Sequence, residues 1–192
     1  MPFSVDMHGA QLKTERLILR PPARSDLNSL HDAVRDTLDD LLPWLPWAHR
    51  DHSRSDSRRY IKSTLLARAR RSAFEFVIEH RDNGAFVGMA SLHRVDWARR
   101  SGGLGYWVQR GSWGQGYATE AARALISFGF DNMQLYRIEA HVALPNAGSH
   151  RVAVKLGFTR EGIARGSELI DSVFVDHVQY GLLCSDRAKS PQ

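Results

Sequence analysis

The chain contains a single cysteine, Cys184, in 192 residues. One thiol can build neither a disulfide framework nor a cysteine-based zinc site within a chain, and its scarcity fits a reducing, cytoplasmic compartment. Long apolar runs are also missing. None approaches the roughly 18 residues that a membrane-spanning helix needs. Residues 1–15 lack both a basic start and an apolar segment, so they do not read as a signal peptide. Repeats, low-complexity tracts and linker-like stretches are absent too. What remains is ordinary: 43% hydrophobic, 24% charged and 9% aromatic residues, which excludes collagenous, coiled-coil and wholly disordered chains. A chain of this length suits one domain, 1–192, that buries about 70% of its extended surface.

The net charge of +5 is unevenly placed. Residues 50–71 hold eight basic side chains against Asp51 and Asp56, so this segment carries +6 and the rest of the chain −1. Such a run suits an acidic partner or nucleic acid, or simply the wet face of a helix.

Periodicity predicts an α/β chain. Residues 16–22 alternate and end in Pro21-Pro22, as a short strand does. Ser25-Asp26 offers a helix cap before Leu27, Leu30, Val34, Leu38 and Leu41, and Pro43 ends that pattern. Residues 43–47 form an apolar, proline-stiffened loop. Residues 55–71 read as a basic amphipathic helix with Ile61, Leu65 and Ala69 on one side. Residues 74–80 and 85–95, joined at Asp82-Asn83-Gly84, read as a hairpin. Strands follow at 103–109 and 137–143, with a helix over 119–130 between them that presents Ala118, Ala122, Leu125 and Gly129 on one face. A short helix over 147–156 stops at Gly157. Two further strand-like runs cover 163–170 and 174–183, and residues after Asp186 read as frayed.

The segment Gly111-Ser-Trp-Gly114-Gln-Gly116-Tyr-Ala-Thr-Glu120 lies between a strand and a helix. Glycines there let backbone N–H groups face outward beside a helix N-terminus, an anion cradle suited to a pyrophosphate. Tyr117 and Ala118 stand where a P-loop needs Lys and Ser/Thr. Thr119 stands where a dinucleotide fingerprint needs its third glycine. A loop for acyl-CoA remains. Gly-x-Ser-x-Gly does not occur, and His49 and His52 come without a HExxH pattern or carboxylate set, so no nucleophile elbow and no metal are expected. Cys184 is expected to be a buried or half-exposed structural thiol.

Five ordered motifs carry a resemblance: Thr14-Glu-Arg-Leu-Ile-Leu-Arg20; Gly88; Leu104-Gly-Tyr-Trp-Val108; Trp113-Gly-Gln-Gly-Tyr-Ala-Thr-Glu-Ala121; and Asn146-Ala-Gly-Ser149 with Lys155-Leu-Gly-Phe158 and Glu161-Gly162. Over residues 13–183 the chain resembles the GNAT acetyltransferase superfamily, and within it the Rim-type branch that acetylates N-termini of ribosomal proteins. Gly111 departs from the Gln or Arg of the family pattern. The resemblance implies a mixed, mostly antiparallel sheet flanked by helices, with the family's strands four and five (103–109 and 137–143) splayed around acetyl-CoA. It also implies that backbone groups of Trp107 and Val108 meet the pantetheine. Residues Trp113, Gly114, Gln115, Gly116, Tyr117 and Ala118 would bind the pyrophosphate. Asn146 would fix the thiol end, Ser149 would protonate the departing sulfur, and Trp44, Leu45 and Trp47 would rim the acceptor pocket.

An α-amine has a pKa of about 7.7–8.0 against about 10.4 for lysine, so an N-terminal acceptor needs only a weak base. The resemblance implies Glu168 for this role, since it lies in the tail segment where the Rim branch carries a glutamate facing the acetyl site, with Glu139 and His141 as alternatives. A protein N-terminus is the expected acceptor, and a homodimer is compatible. A membrane and nucleic acid are not expected partners. Acetylation of a small-molecule amine, or an acyl-CoA-binding or RNA-associated module, are the other readings.

Overall fold

The computed structural model describes Met7 and residues 9–189. Eight strands and four helices follow one another as β1 (Leu12–Lys13), β2 (Leu17–Arg20), α1 (Leu27–Leu41), α2 (Arg54–Ala69), β3 (Phe74–His80), β4 (Phe86–Asp96), β5 (Ser101–Val108), α3 (Tyr117–Ser127), β6 (Arg137–Ala143), α4 (Ala147–Lys155), β7 (Thr159–Ile170) and β8 (Val173–Leu183). They build one sheet in the order β1-β2-β3-β4-β5-β6-β8-β7. Only β5 and β6 run parallel, joined by the crossover through α3. Counted from β2, β5 and β6 are the fourth and fifth strands.

Strand alternation sorts the side chains into two layers. Phe76, Ile78, Ala90 and Leu92 face α3, where Ala121, Ala122 and Leu125 complete the larger core. Val77 and Met89 face the other way, onto Leu30 and Val34 of α1 and Ile61 of α2. Gly88 sits where β4 meets the end of β5: a Cβ there would stand 2.2 Å from the Trp107 carbonyl oxygen, so only glycine lets the strands close.

Several local expectations are corrected. The buried face of α2 is Ser57, Ile61, Thr64 and Arg68, while Leu65 and Leu66 are exposed. Hydrogen bonding decides this. Thr64 donates to the Ile61 carbonyl, and Arg68 donates to the carbonyls of Met7 and Glu75. Asp26 is the N-cap residue of α1, yet its side chain accepts from Arg20 and the Ala23 N–H rather than from the helix. The third helix starts at Tyr117 and passes into one wide turn over Phe128–Asn132. The two late strand-like runs form a hairpin through Asp171 and Ser172, both at positive φ as a two-residue turn demands. Cys184 is exposed, and Cys184–Lys189 forms a short 3-10 segment where fraying was expected. Residues 190–192 lie outside the described residues.

Candidate active site

Strands β5 and β6 pair only where Ser101, Gly102 and Gly103 meet Arg137, Ile138 and Glu139. Beyond that point β5 follows β4 to Val108, and β6 follows β8 to Ala143. Each strand keeps its antiparallel partner, and the sheet opens between them. The gap is a cleft of about 1070 Å³ with Leu104–Val108 on one wall and Ala140–Ala143 on the other. A strand pointing half its peptide groups into an open edge offers main-chain donors and acceptors to an extended ligand.

At one end the cleft meets the N-terminus of α3. Gly116 is the N-cap residue at φ 83°, and Gly114 lies at φ 72°, a region that side chains avoid. Gly114, Gly116, Tyr117, Ala118 and Thr119 line the cleft there, and the helix dipole adds positive potential. Trp113 also lines it and donates its indole N–H to the Val108 carbonyl at 2.7 Å, locking the loop to β5. Gln115 is exposed, and its side chain donates to the Gly111 carbonyl at 3.2 Å.

The loop is clamped from a distance. Glu120 accepts from Thr14 Oγ1 at 2.6 Å, the Arg16 N–H at 2.9 Å and Arg16 Nε at 2.8 Å. Arg16 also donates to the Gln115 carbonyl at 2.9 Å, and its guanidinium lies 4.7 Å above the Tyr117 ring. Burial opposes ionisation of Glu120, but these donors outweigh it and hold its pKa below the ordinary value. The Thr14–Arg20 and Trp113–Ala121 motifs are therefore two halves of one device, a role the sequence did not reveal. Arg151 and Lys155 of α4 also line the cleft and were missed. Their four-residue spacing just after Asn146-x-x-Ser149 was the available signal.

Asn146, Ser149, Tyr106 and Glu168 line the same cleft. Asn146 caps α4, its Oδ1 accepting the Ser149 N–H at 3.0 Å. Ser149 shares a hydrogen bond with Tyr106 of β5, whose hydroxyl burial pushes above its ordinary pKa. Glu168 is exposed on β7 at the edge of a register shift and lines the cleft. Trp107 and Val108 lie on the β5 wall.

A family model described as an acetyltransferase (GNAT) domain matches residues 16–159. The chain belongs to this family. YdaF of Bacillus subtilis, a protein named as an N-acetyltransferase, is 36% identical over 101 residues, and that match spans 53% of this chain and 55% of YdaF. The Escherichia coli [ribosomal protein uS5]-alanine N-acetyltransferase is 28% identical over 178 residues, 92% of each chain. Among solved structures, Mycobacterium smegmatis RimJ in complex with CoA-disulfide superposes with a TM-score of 0.85 at 27% identity, covering 96% of this chain and 89% of that one.

Within this GNAT scaffold the acceptor-side residues separate. Trp44 and Leu45 line the cleft. Trp47 instead lines a second cavity of about 270 Å³ between α1, α2 and Trp107, where its ring centroid lies 6.3 Å from that of Trp107. None of residues 50–71 lines the large cleft, and Asp56 and Arg59 line the second cavity. The basic segment therefore lies away from the large cleft, with Arg68 on the buried face of α2. Glu139 does not line the cleft: Arg137 holds it at 2.8 Å. His141 does line it, 3.3 Å from Arg94, and burial together with Arg94 keeps its pKa low. Folding also brings His49, His52 and Asp56 together, their donor atoms within 4.8 Å of one another. Asp56 is already engaged in capping α2 through Ser53, which pulls its pKa to about 2.

Proposed function

We propose that this protein is an acetyl-CoA-dependent N-acetyltransferase that moves an acetyl group directly to a protein N-terminal α-amine. The observation that carries the reading is one cleft lined both by the glycine loop at the α3 N-terminus and by Ser149, Tyr106 and Glu168. Its dimensions and open strand edge fit the pantetheine arm of CoA, and Gly114 and Gly116 leave the backbone bare where a pyrophosphate would lie. Trp107 and Val108 would pair with the pantetheine amides. A main-chain N–H of β5 would polarise the thioester carbonyl. Asn146 would hold the thiol end and Ser149 would return a proton to the sulfur. Glu168 would take the first proton, from the acceptor ammonium. Trp44 and Leu45 would cover the acceptor's first side chain. The ribosomal acceptor is suggested by the names of the relatives and by the modest basicity of an α-amine.

The test is CoA release measured with N-terminal peptides, free lysine and spermidine. Higher kcat/KM for the peptides is expected. Equal or better turnover of spermidine would move the reading to small-molecule amines. CoA binding without any turnover would leave only a binding module.

A further inference from the structure

On the face of the sheet against α1 and α2, beyond the Arg20–Glu79 ion pair, one polar row runs through the apolar packing. Glu75 of β3 stands opposite Ser91 of β4, and His93 follows two residues along on the same face. Their side chains join end to end. Tyr60 of α2 donates its hydroxyl to Glu75 Oε2 at 3.0 Å. Ser91 stands across the strand pair from the same carboxyl group and draws its pKa down. Ser91 Oγ lies 3.3 Å from His93 Nδ1. The imidazole then rests on a glycine track of β5: a Cβ on Gly103 would stand 2.7 Å from His93 Nε2, and one on Gly105 would stand 3.2 Å from its Cε1. Gly103 is the last residue of β5 that pairs with β6, so the ring sits at the apex of the opening. His93 lines the cleft, and Tyr60 lines the second cavity. The row thus crosses the α1/α2 layer from one cavity to the other. A register shift directly after His93 accompanies this placement.

Counting donors fixes the tautomer. With Glu75 ionised, Tyr60 donates to it and Ser91 turns its hydroxyl proton the same way. Ser91 Oγ is left to accept from His93. Nδ1 therefore carries the ring proton, and Nε2 presents a lone pair at the apex. A base oriented by a hydroxyl and a buried carboxyl is a recurring catalytic arrangement.

Acetylation removes two protons from an ammonium: one before attack, the other from the nitrogen once it is bonded to the acetyl carbon. We propose that His93 Nε2 takes the second of these protons and that Ser91 and Glu75 carry it out of the cleft. The C–N bond forms, the amine proton passes to Nε2, and the Nδ1 proton passes to Ser91 Oγ. The Ser91 proton passes to Glu75, which becomes a carboxylic acid. The C–S bond breaks, and its electron pair leaves on the sulfur, which takes the Ser149 hydroxyl proton while water in the open cleft returns one to the Ser149 oxygen. Glu75 then releases its proton to water at the Tyr60 cavity.

Acidities run in the required direction. Burial raises Glu75 to about 7, against the pull of Tyr60, Ser91 and Arg68. Burial holds His93 down to about 4, assisted by Arg94 and His141. The ring therefore hands a proton on rather than keeping it, and the carboxyl group can hold it near neutrality. The facing groups are Tyr60 and Arg68 from α2, Ser91 from β4, Arg94 beside His93, and His141 from β6, while β5 contributes only glycine.

This inference rests on the N-acetyltransferase reading above. The experiment is the pH profile of kcat with a saturating peptide acceptor for the unmodified protein, His93→Ala, Glu75→Gln, Ser91→Ala and Ser91→Thr, with and without added imidazole. In His93→Ala a loss of about 100-fold in kcat is expected, partly restored by imidazole, with CoA affinity unchanged. The unmodified enzyme should lose activity as pH falls through about 7, where Glu75 becomes protonated, and Glu75→Gln should lack that inflection. Ser91→Thr should work and Ser91→Ala should not; this pair decides the matter if Glu75→Gln fails to fold. Wild-type kcat and pH profile in His93→Ala, or a loss that imidazole does not relieve, would overturn the relay and leave the acetyltransferase intact. An unmodified protein that acetylates no amine would overturn the acetyltransferase reading itself.

Discussion

Ser149 and Glu168 both line the cleft, and their surroundings predict different sensitivities. Ser149 is tied to Tyr106, and water can protonate a thiolate whose pKa is near 8.5, so Ser149→Ala should cost little. Glu168→Gln removes a base, which typically costs about 10²–10⁴ in rate. That loss should shrink at high pH, where the amine is already free. Both effects are read from kcat against pH, with acetyl-CoA affinity by calorimetry as the control. An unchanged profile for Glu168→Gln would pass its role to His141, since Glu139 is held by Arg137 outside the cleft. Gly114→Val should lose CoA affinity, though its φ of 72° adds backbone strain to the loss.

Among the elements, the join between the turn before β2 and the start of α3 is the one that positions the glycine loop. Glu120 makes it, with side chains and a main-chain N–H more than a hundred residues away in sequence. Glu120→Gln should lower Tm by roughly 4–8 °C at pH 7, the scale expected for weakening hydrogen bonds to a charged group in a domain of this size. The sign with pH follows from the lowered pKa. The carboxylate's contribution is complete above its ordinary value of 4.5 and is lost as pH falls below it. The gap in Tm between Glu120→Gln and the unmodified protein should therefore close below pH 4.5, as thermal melts across pH would show. CoA affinity should fall in the same variant, because the loop carrying Gly116 loses its anchor.

For the whole molecule, the sheet divides into a closed half and an open half. Strands β2, β3 and β4 are paired on both edges and covered on both faces, whereas β5 and β6 part after Gly103. A ligand bridging the gap should slow amide hydrogen exchange over residues 104–118 and 140–149 and leave 74–92 unchanged. Protection confined to the outer face of α2 would instead indicate binding at the basic segment. That segment is less available than its charge suggests. Arg68 is buried, Arg59 pairs with Asp56, and Arg54 hydrogen-bonds Asn28.

The hairpin at 74–96, the β5–loop–α3 unit and the short capped helix after Asn146 were legible because each rests on contacts within a few residues: alternation, a turn at Asp82-Asn83-Gly84, glycines before a helix. The same locality made the glycine loop before α3 visible, whereas Ser149 came only with the family resemblance. The amino-acid sequence by itself thus determined the order of the elements, the cradle and the family resemblance. Only the tertiary structure decided which face of α2 is buried, that Trp47 leaves Trp44 and Leu45 for a second cavity, that Arg16 holds Glu120, and that Glu75, Ser91 and His93 form a row ending on Gly103. The physical reason is common to all four. A polar group's burial, partner and protonation depend on what the sheet places beside it, and those neighbours come from strands and helices distant in sequence.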